Sequence, residues 1–344
     1  MARCQTQAEL LRQRALESSR SKRWDQAADL YRQALSLEPN DPDAHYNLAL
    51  VFKYKGDPKA AVQEFQAALR LKPSWAEAHF GLGAAYYDLH EEAAALRELR
   101  AAIELDPRNA AVHYFLAAVL VERHDVDGAT SELKTVLRLR PSHVEGRDLL
   151  ATIYLQRNDS DEAAAELRRC IQARPSFAQA HFHLGLALGQ QGELAEAAAE
   201  FRRAIRIAPG FAEAHSRLGV ALRRLGDQPS ALAEFREAVR LDPKDAEGWY
   251  DLGIALKNAE DLDGALAAFR RSVELKPDLE KARYNLGLAL AAKGQREASR
   301  KELGELRGLH DFRTRLTEAK GLTSQGAELL KAGDWDGAFD LLDL

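Results

Sequence analysis

The sequence predicts an all-α protein, a solenoid of antiparallel helix pairs, and three observations predict it. Eight of the eleven prolines, Pro39, Pro73, Pro107, Pro141, Pro175, Pro209, Pro243 and Pro277, stand 34 residues apart. A constant period of that length means one supersecondary unit stacked on copies of itself. Within each period the apolar residues follow helical spacing twice, with a break between. Small and large residues also recur in fixed columns, as helices that interdigitate require.

The segment Ala246 to Leu279 shows the unit. Trp249, Leu252, Gly253 and Leu256 fall on one stripe of a first helix, and Asn258, Ala259 and Glu260 break it. Ala265, Phe269 and Ser272 form the stripe of a second helix, and Pro277 follows where the helix cannot continue. The leucine of the first helix recurs as Leu48, Leu82, Leu116, Leu150, Leu184, Leu218 and Leu286, each followed by a small residue, Ala49, Gly83, Ala117, Ala151, Gly185, Gly219 and Gly287. Glycine inside a helix costs about 1 kcal/mol relative to alanine, so its return implies that the two helices cross closely there. The second helix repeats Ala27, Ala61, Ala95, Ala129, Ala163, Ala197, Ala231 and Ala265, with Tyr31, Phe65, Leu99, Leu133, Leu167, Phe201, Phe235 and Phe269 one turn later. The turn between helices holds Gly56, Gly192, Gly226 and Gly294, or His90, His124 and Asn158, residues that tolerate a left-handed backbone. Glu260 stands in the same slot and does not fit that reading.

A chain of 344 residues would ordinarily suggest two or three domains, but a solenoid grows by adding units. The net charge of −5 argues against a nucleic-acid or anionic-membrane binder, and no stretch has the length of a membrane span. Met1 to Arg20 lacks the apolar core of a signal peptide and reads as an amphipathic helix. The expected compartment is therefore the cytoplasm, or the periplasm or the exterior if a leader is missing from this copy. Cys170 lies in the column of Ala34, Ala68, Ala102, Ala204 and Ala238 and reads as a small core residue, so Cys4 and Cys170 make no disulfide framework.

His45, His79, His113, His181 and His215 share the slot held by Trp249. One per repeat, they stand too far apart to share a metal, and His181 and His183 point to different faces of their helix. No nucleophile–base pairing, phosphate loop or HExxH spacing occurs, so neither catalysis, a metal nor a cofactor is expected.

An aromatic, then Leu-Gly, then an alanine, a large residue and a proline every 34 residues resembles the tetratricopeptide repeat pattern, from Ala8 to about Phe312. Nine units begin near Ala8, Pro42, Ala76, Ala110, Val144, Ala178, Ala212, Ala246 and Glu280, so residues 1–313 are expected to form the solenoid. The resemblance implies a right-handed superhelix whose first helices line a concave groove that cradles a peptide or partner segment. It places Tyr46, Phe80, Tyr114, Phe182, Tyr250 and Tyr284 facing inward, interrupted by Asp148 and Ser216. Further groove positions hold Lys53, Tyr54, Tyr87, Asp88, Glu122, Arg223, Arg224, Lys257 and Asn258. Asp43, Glu77, Asp88, Glu122, Glu145 and Asp148 make the first half acidic against Lys53, while Arg223, Arg224, Lys257 and Lys281 make the second half basic against Glu213 and Glu247. Such a bipolar groove would orient a partner of opposite charge order. The Lys, Asn and Arg set of the family's carboxylate clamp is not found. The asparagine ladder of its sugar transferases is reduced to Asn47 and Asn285, against Gly81, Phe115, Leu149, His183, Arg217 and Asp251.

The ends depart from the pattern. In the first helix Arg14 and Ser18 replace the leucine and a large apolar residue, as the polar face of a capping repeat would. Asp311 stands where a proline is expected, and residues 314–344 hold a short insert and an incomplete tenth repeat with Gly326, Leu329, Gly333, Trp335 and Ala338. Trp335-Asp336 echoes Trp24-Asp25. The chain stops within a second helix, which suggests a piece of a longer protein. Were it complete, Phe339, Leu341, Leu342 and Leu344 would favour self-association. The leading expectation is a non-enzymatic scaffold or adaptor. Its rivals are a docking arm of an enzyme such as a glycosyltransferase or methyltransferase, and a self-associating solenoid.

Overall fold

The computed structural model describes residues 6–305, and all of its regular structure there is helical. The expectations that rest on Cys4, on Asp311 and on the tenth repeat lie outside the described residues. Helix pairs gather into two compact units, Met1–Arg174 and Pro175–Leu344, divided at one tooth of the proline comb and inside the stretch expected as one solenoid. The first unit holds α1 (Gln7–Arg20), α2 (Trp24–Leu37), α3 (Pro42–Lys55), α4 (Pro58–Leu71), α5 (Ala76–Asp88), α6 (Glu92–Leu105), α7 (Ala110–Glu122), α8 (Val126–Leu139), α9 (Val144–Gln156) and α10 (Ser160–Ala173). The second holds α11 (Ala178–Gln191), α12 (Leu194–Ile207), α13 (Ala212–Arg224), α14 (Gln228–Leu241), α15 (Ala246–Asn258), α16 (Leu262–Leu275), α17 (Glu280–Ala292) and a helical segment over 296–305. From α3 onward, every first helix opens at the residue from which the sequence begins its repeat.

Local chemistry sets these boundaries. Asp41, Asn109 and Asp245 cap first helices by accepting backbone N–H groups, and Asp57, Asp125, Asp227 and Asp261 do the same for second helices. The turn slot is left-handed throughout, with φ of 81° at Gly56, 60° at His90, 59° at His124, 62° at Asn158 and 62° at Glu260. Glu260 is held there by bonds from its own N–H to Lys257 O and from Asp261 N–H to Leu256 O, equivalent to those that close the glycine turn at Gly56. Position, not side chain, imposes its conformation.

Packing explains the glycine column. A Cβ added at Gly185, Gly219 or Gly253 would lie 2.5–2.8 Å from the ring of Phe201, Phe235 or Phe269 on the partner helix. Opposite the smaller Leu133 and Leu167 alanine occupies the slot as Ala117 and Ala151, whereas Leu99 and Leu303 still face glycine, at Gly83 and Gly287. Phe65 faces Ala49 within its own repeat and takes its space instead from Gly81 of the next. At the start of the chain the cap is only half as expected: Arg14 is exposed, but Ser18 is 2% exposed and sits inside.

Successive first helices touch one another, α1 with α3 and α3 with α5 in one unit, α11 with α13 and α13 with α15 in the other. Among the described residues no successive second helices approach as closely. Along α1, α3 and α5, and along α11, α13 and α15, the first helices therefore lie nearer one another than the second helices do.

Candidate partner-binding surface

The histidine column is built into the repeat frame. Each ring bridges a glutamate on the second helix of its own repeat and the carbonyl of the comb proline before it, as His113 does to Glu132 and Pro107. The glutamates form a column of their own, Glu64, Glu98, Glu132, Glu166, Glu200, Glu234 and Glu302, at the proline pitch. That pitch was a signal the sequence carried, hidden among surface charges.

The aromatics of the next column are wedged between repeats. Tyr46 lies 4.6 Å from Trp75 and 5.7 Å from Phe65, between ring centroids, and Phe80 meets Phe115 edge-on. Tyr114 packs on His143 and Tyr250 on Phe269. Burial pushes the Tyr46 and Tyr114 phenols above their ordinary value. Phe182 corrects the sequence reading: it is 2% exposed and packed against Phe201 and Phe211, so it belongs to the core. Tyr284 is 49% exposed. A residue beside the first stripe points toward the neighbouring repeat as much as toward the inner face.

The last turns of the first helices supply the open surface. Tyr54 is 68% exposed and stacks on Trp24 at 5.3 Å with rings 14° from parallel. Beneath them lies a cavity of about 230 Å³ bounded by Leu16, Ser19, Arg20, Tyr31, Asn47, Leu50 and Val51. Lys53 is half-buried, and burial pulls its ammonium below lysine's ordinary value while Asp88 of the next repeat opposes the shift. The Tyr87 hydroxyl donates to Glu122, and that bond pushes the phenol up to about 12. Thus Tyr87 bonds Glu122 across a repeat boundary, and Lys53 feels the charge of Asp88 from the next repeat.

In the second unit two of the four expected groove cations are matched. Arg223 pairs with Asp251 at 3.5 Å and lies over the Phe235 ring at 5.7 Å. Burial raises the Asp251 carboxyl, against the pull of Arg223. Lys281 pairs with Glu247 and sits 4.6 Å over Tyr250. Arg224, Lys257 and Asn258 are exposed. Asp251, which the sequence reading did not set against these cations, reaches Arg223 across a repeat boundary, and Glu247, which it did, pairs with Lys281. In the first unit Glu145 is likewise matched, by Arg174 at 2.8 Å.

The family profile described as the cilia and flagella-associated protein 70 C-terminal domain, a tetratricopeptide repeat domain, matches residues 2–216. Tetratricopeptide repeat profiles match residues 221–259 and 246–279. The chain belongs to the tetratricopeptide repeat family. A chain of the APC/C hetero-tetramer Cut9-Hcn1 is similar in structure, with a TM-score of 0.57 and 17% identity over 83% of this chain and 56% of its own. A tetratricopeptide repeat protein from Parabacteroides merdae ATCC 43184 reaches the same TM-score of 0.57 and 17% identity over 72% of this chain and 98% of its own. No curated protein matches the chain significantly.

As a tetratricopeptide repeat protein the chain has the fold of a protein-interaction scaffold, typically non-catalytic. Among the described residues no helix is long and apolar enough to cross a membrane, and no group of three or more His, Cys, Asp or Glu could hold a metal.

Proposed function

We propose that the first-helix face of the Met1–Arg174 unit holds an extended segment of a protein partner, anchored on the Trp24–Tyr54 platform. The observation that carries this reading is the platform itself. The exposed Tyr54 ring, at the end of α3, stacks on the half-buried Trp24 at the start of α2 above an apolar hollow, where a side chain from a partner gains contact with rigid aromatic surface at low entropic cost. Further along the face, Lys53 and the Tyr87–Glu122 pair offer polar contacts in register with the repeats. In the Pro175–Leu344 unit the same turns present Arg224, Lys257 and Asn258, with Tyr284, to a partner segment that carries acidic groups. The protein works in this reading as an adaptor, without chemistry of its own.

The test is selection from a displayed peptide library against the full chain, followed by affinity measurement on variants. Tyr54→Ala should weaken the selected peptides about tenfold or more, the cost of truncating an interface anchor, with an unchanged urea midpoint. Equal binding by Tyr54→Ala, Trp24→Ala and the parent would overturn the assignment of the platform.

A further inference from the structure

Five repeats place a histidine between two oxygens. Nδ1 of His45, His79, His113, His181 and His215 lies 2.5–2.8 Å from Oε2 of Glu64, Glu98, Glu132, Glu200 and Glu234. Nε2 of the same rings lies 3.0–3.2 Å from the carbonyl oxygens of Pro39, Pro73, Pro107, Pro175 and Pro209. A carbonyl and a carboxylate both accept, and a neutral imidazole carries one N–H. Both contacts are satisfied together only when the ring and its carboxylate hold one proton more than neutral histidine and ionised glutamate do.

Three other repeats show which form the slot accommodates. In the fifth, Arg147 donates to the Pro141 carbonyl through Nε and Nη2, at 3.2 and 2.7 Å, and to Glu166 through Nη1. In the ninth, Arg283 donates to the Pro277 carbonyl at 3.1 Å and to Glu302 at 2.7 Å. Arginine is a cation at every ordinary pH, so the slot holds a positive charge with several donors. In the eighth, Trp249 has a single N–H, which donates to the Pro243 carbonyl at 3.1 Å, and the glutamate column reads Ala268. Where the slot has two donors the carboxylate is present, and where it has one the carboxylate is gone.

We propose that the five histidines are carried as imidazolium in the folded protein at neutral pH and act as pH-dependent staples, each fastening the loop between two repeats to the second helix of its own repeat. His113, His181 and His215 are only 6%, 6% and 8% exposed, so a contact that loses its donor is not repaired by water. The sign follows from proton counting. The folded state binds protons that the unfolded chain releases above about pH 6.5, where an ordinary histidine titrates. Stability therefore falls as the pH rises through that value. The charged neighbours do not reverse this. His45 and His113 face Glu64 and Glu132, Glu98 also accepts from Arg97 with Arg70 bordering the hollow beside His79, Glu200 also pairs with Arg203, and His215 faces Glu237 as well as Glu234.

Two measurements on the full chain decide it. Long-range proton–nitrogen correlation spectra of the ring nitrogens at pH 7.5 should show both nitrogens protonated at the five column histidines. A neutral pattern at the column histidines overturns the proposal. Urea unfolding between pH 6 and 9 should show an unfolding constant that rises with pH, by up to tenfold per pH unit for each staple that titrates. His113→Arg, which copies Arg147, should make that dependence shallower by one staple. So should the pair His113→Trp with Glu132→Ala, which copies the eighth repeat and keeps the comparison available if the arginine variant does not fold. An unchanged slope in the variants that fold overturns the proposal.

Discussion

The seventh and eighth repeats stand side by side in one unit, share a backbone plan, and fill two of its positions with different chemistry. In the seventh, the turn is Gly226 at φ 87° and the slot above it pairs His215 with Glu234. In the eighth, the turn is Glu260 at φ 62° and the slot pairs Trp249 with Ala268. Both keep glycine beneath a phenylalanine ring, Gly219 under Phe235 and Gly253 under Phe269. The difference teaches that residues in contact change together. The His–Glu pair is replaced as a pair, whereas both repeats keep the glycine and the ring, whose atoms a Cβ would meet at 2.8 Å at Gly219 and 2.5 Å at Gly253. The turn has no side-chain partner to change with, so a residue ill suited to it persists at a local cost.

The sharpest break in this comparison is at the ring. Phe269→Ala should cost about 3–5 kcal/mol by emptying a fully buried site. Gly253→Ala should cost about 1–3 kcal/mol, because its methyl meets Phe269 Cε1 at 2.5 Å and the ring has no free space to move into. Combining Gly253→Ala with Phe269→Leu rebuilds the Ala117 and Leu133 pair of the fourth repeat and should return to within about 1.5 kcal/mol of the parent. Urea midpoints measure all three. Costs that simply add in the double variant would show that the glycine and the ring do not select each other.

How much of this was legible in the sequence depends on the range of the interaction. Helix starts, the left-handed turn and the small and large columns are local or fall within one repeat, so the starts at Pro42, Ala76 and Ala110 were read directly. The direction of Tyr46, Phe80, Tyr114 and Phe182 was not, because it depends on how one repeat rotates against the next, and hydrophobic period carries no information on that angle. Phe182 is core because Phe211 of the next repeat covers it. The pairing of Arg223 was not legible for the same reason, since Asp251 answers it from the next repeat. Ser18 reads as surface from its type and is buried by its position. The glutamate column was readable at the proline pitch, and the joint loss of His and Glu at Trp249 and Ala268 is the clue that the two columns touch.

The turn sharpens the comparison at a smaller scale. Glu260→Gly should stabilise by about 0.5–1 kcal/mol, since glycine adopts a left-handed backbone without the clash that a Cβ brings. The exchange in the other direction, Gly226→Ala, should destabilise by a similar amount, with nothing within 4 Å of the added Cβ to blame for it. Thermal midpoints of the two variants should therefore move in opposite directions. If Glu260→Gly is neutral or worse, the side chain contributes something at that turn that its backbone geometry does not show.

The smallest effect concerns a column that the two repeats share with the rest. Cys170 is fully buried, its Sγ is 3.6 Å from the Val144 carbonyl, and burial pushes the thiol up to about 12. Only the thiolate reacts, and burial disfavours that form. In a Cys4→Ser background, the native protein should resist a thiol reagent at pH 8 and label fully in urea. The eighth repeat already carries Ser272 in this column, where its hydroxyl donates to the Ala246 carbonyl at 2.7 Å. Cys170→Ser should find the equivalent Val144 carbonyl and cost no more than about 1 kcal/mol, the worth of one net hydrogen bond set against the loss of an apolar sulfur. Rapid labelling of the native protein would mean that the repeat around Val144 opens far more often than its packing against α10 allows.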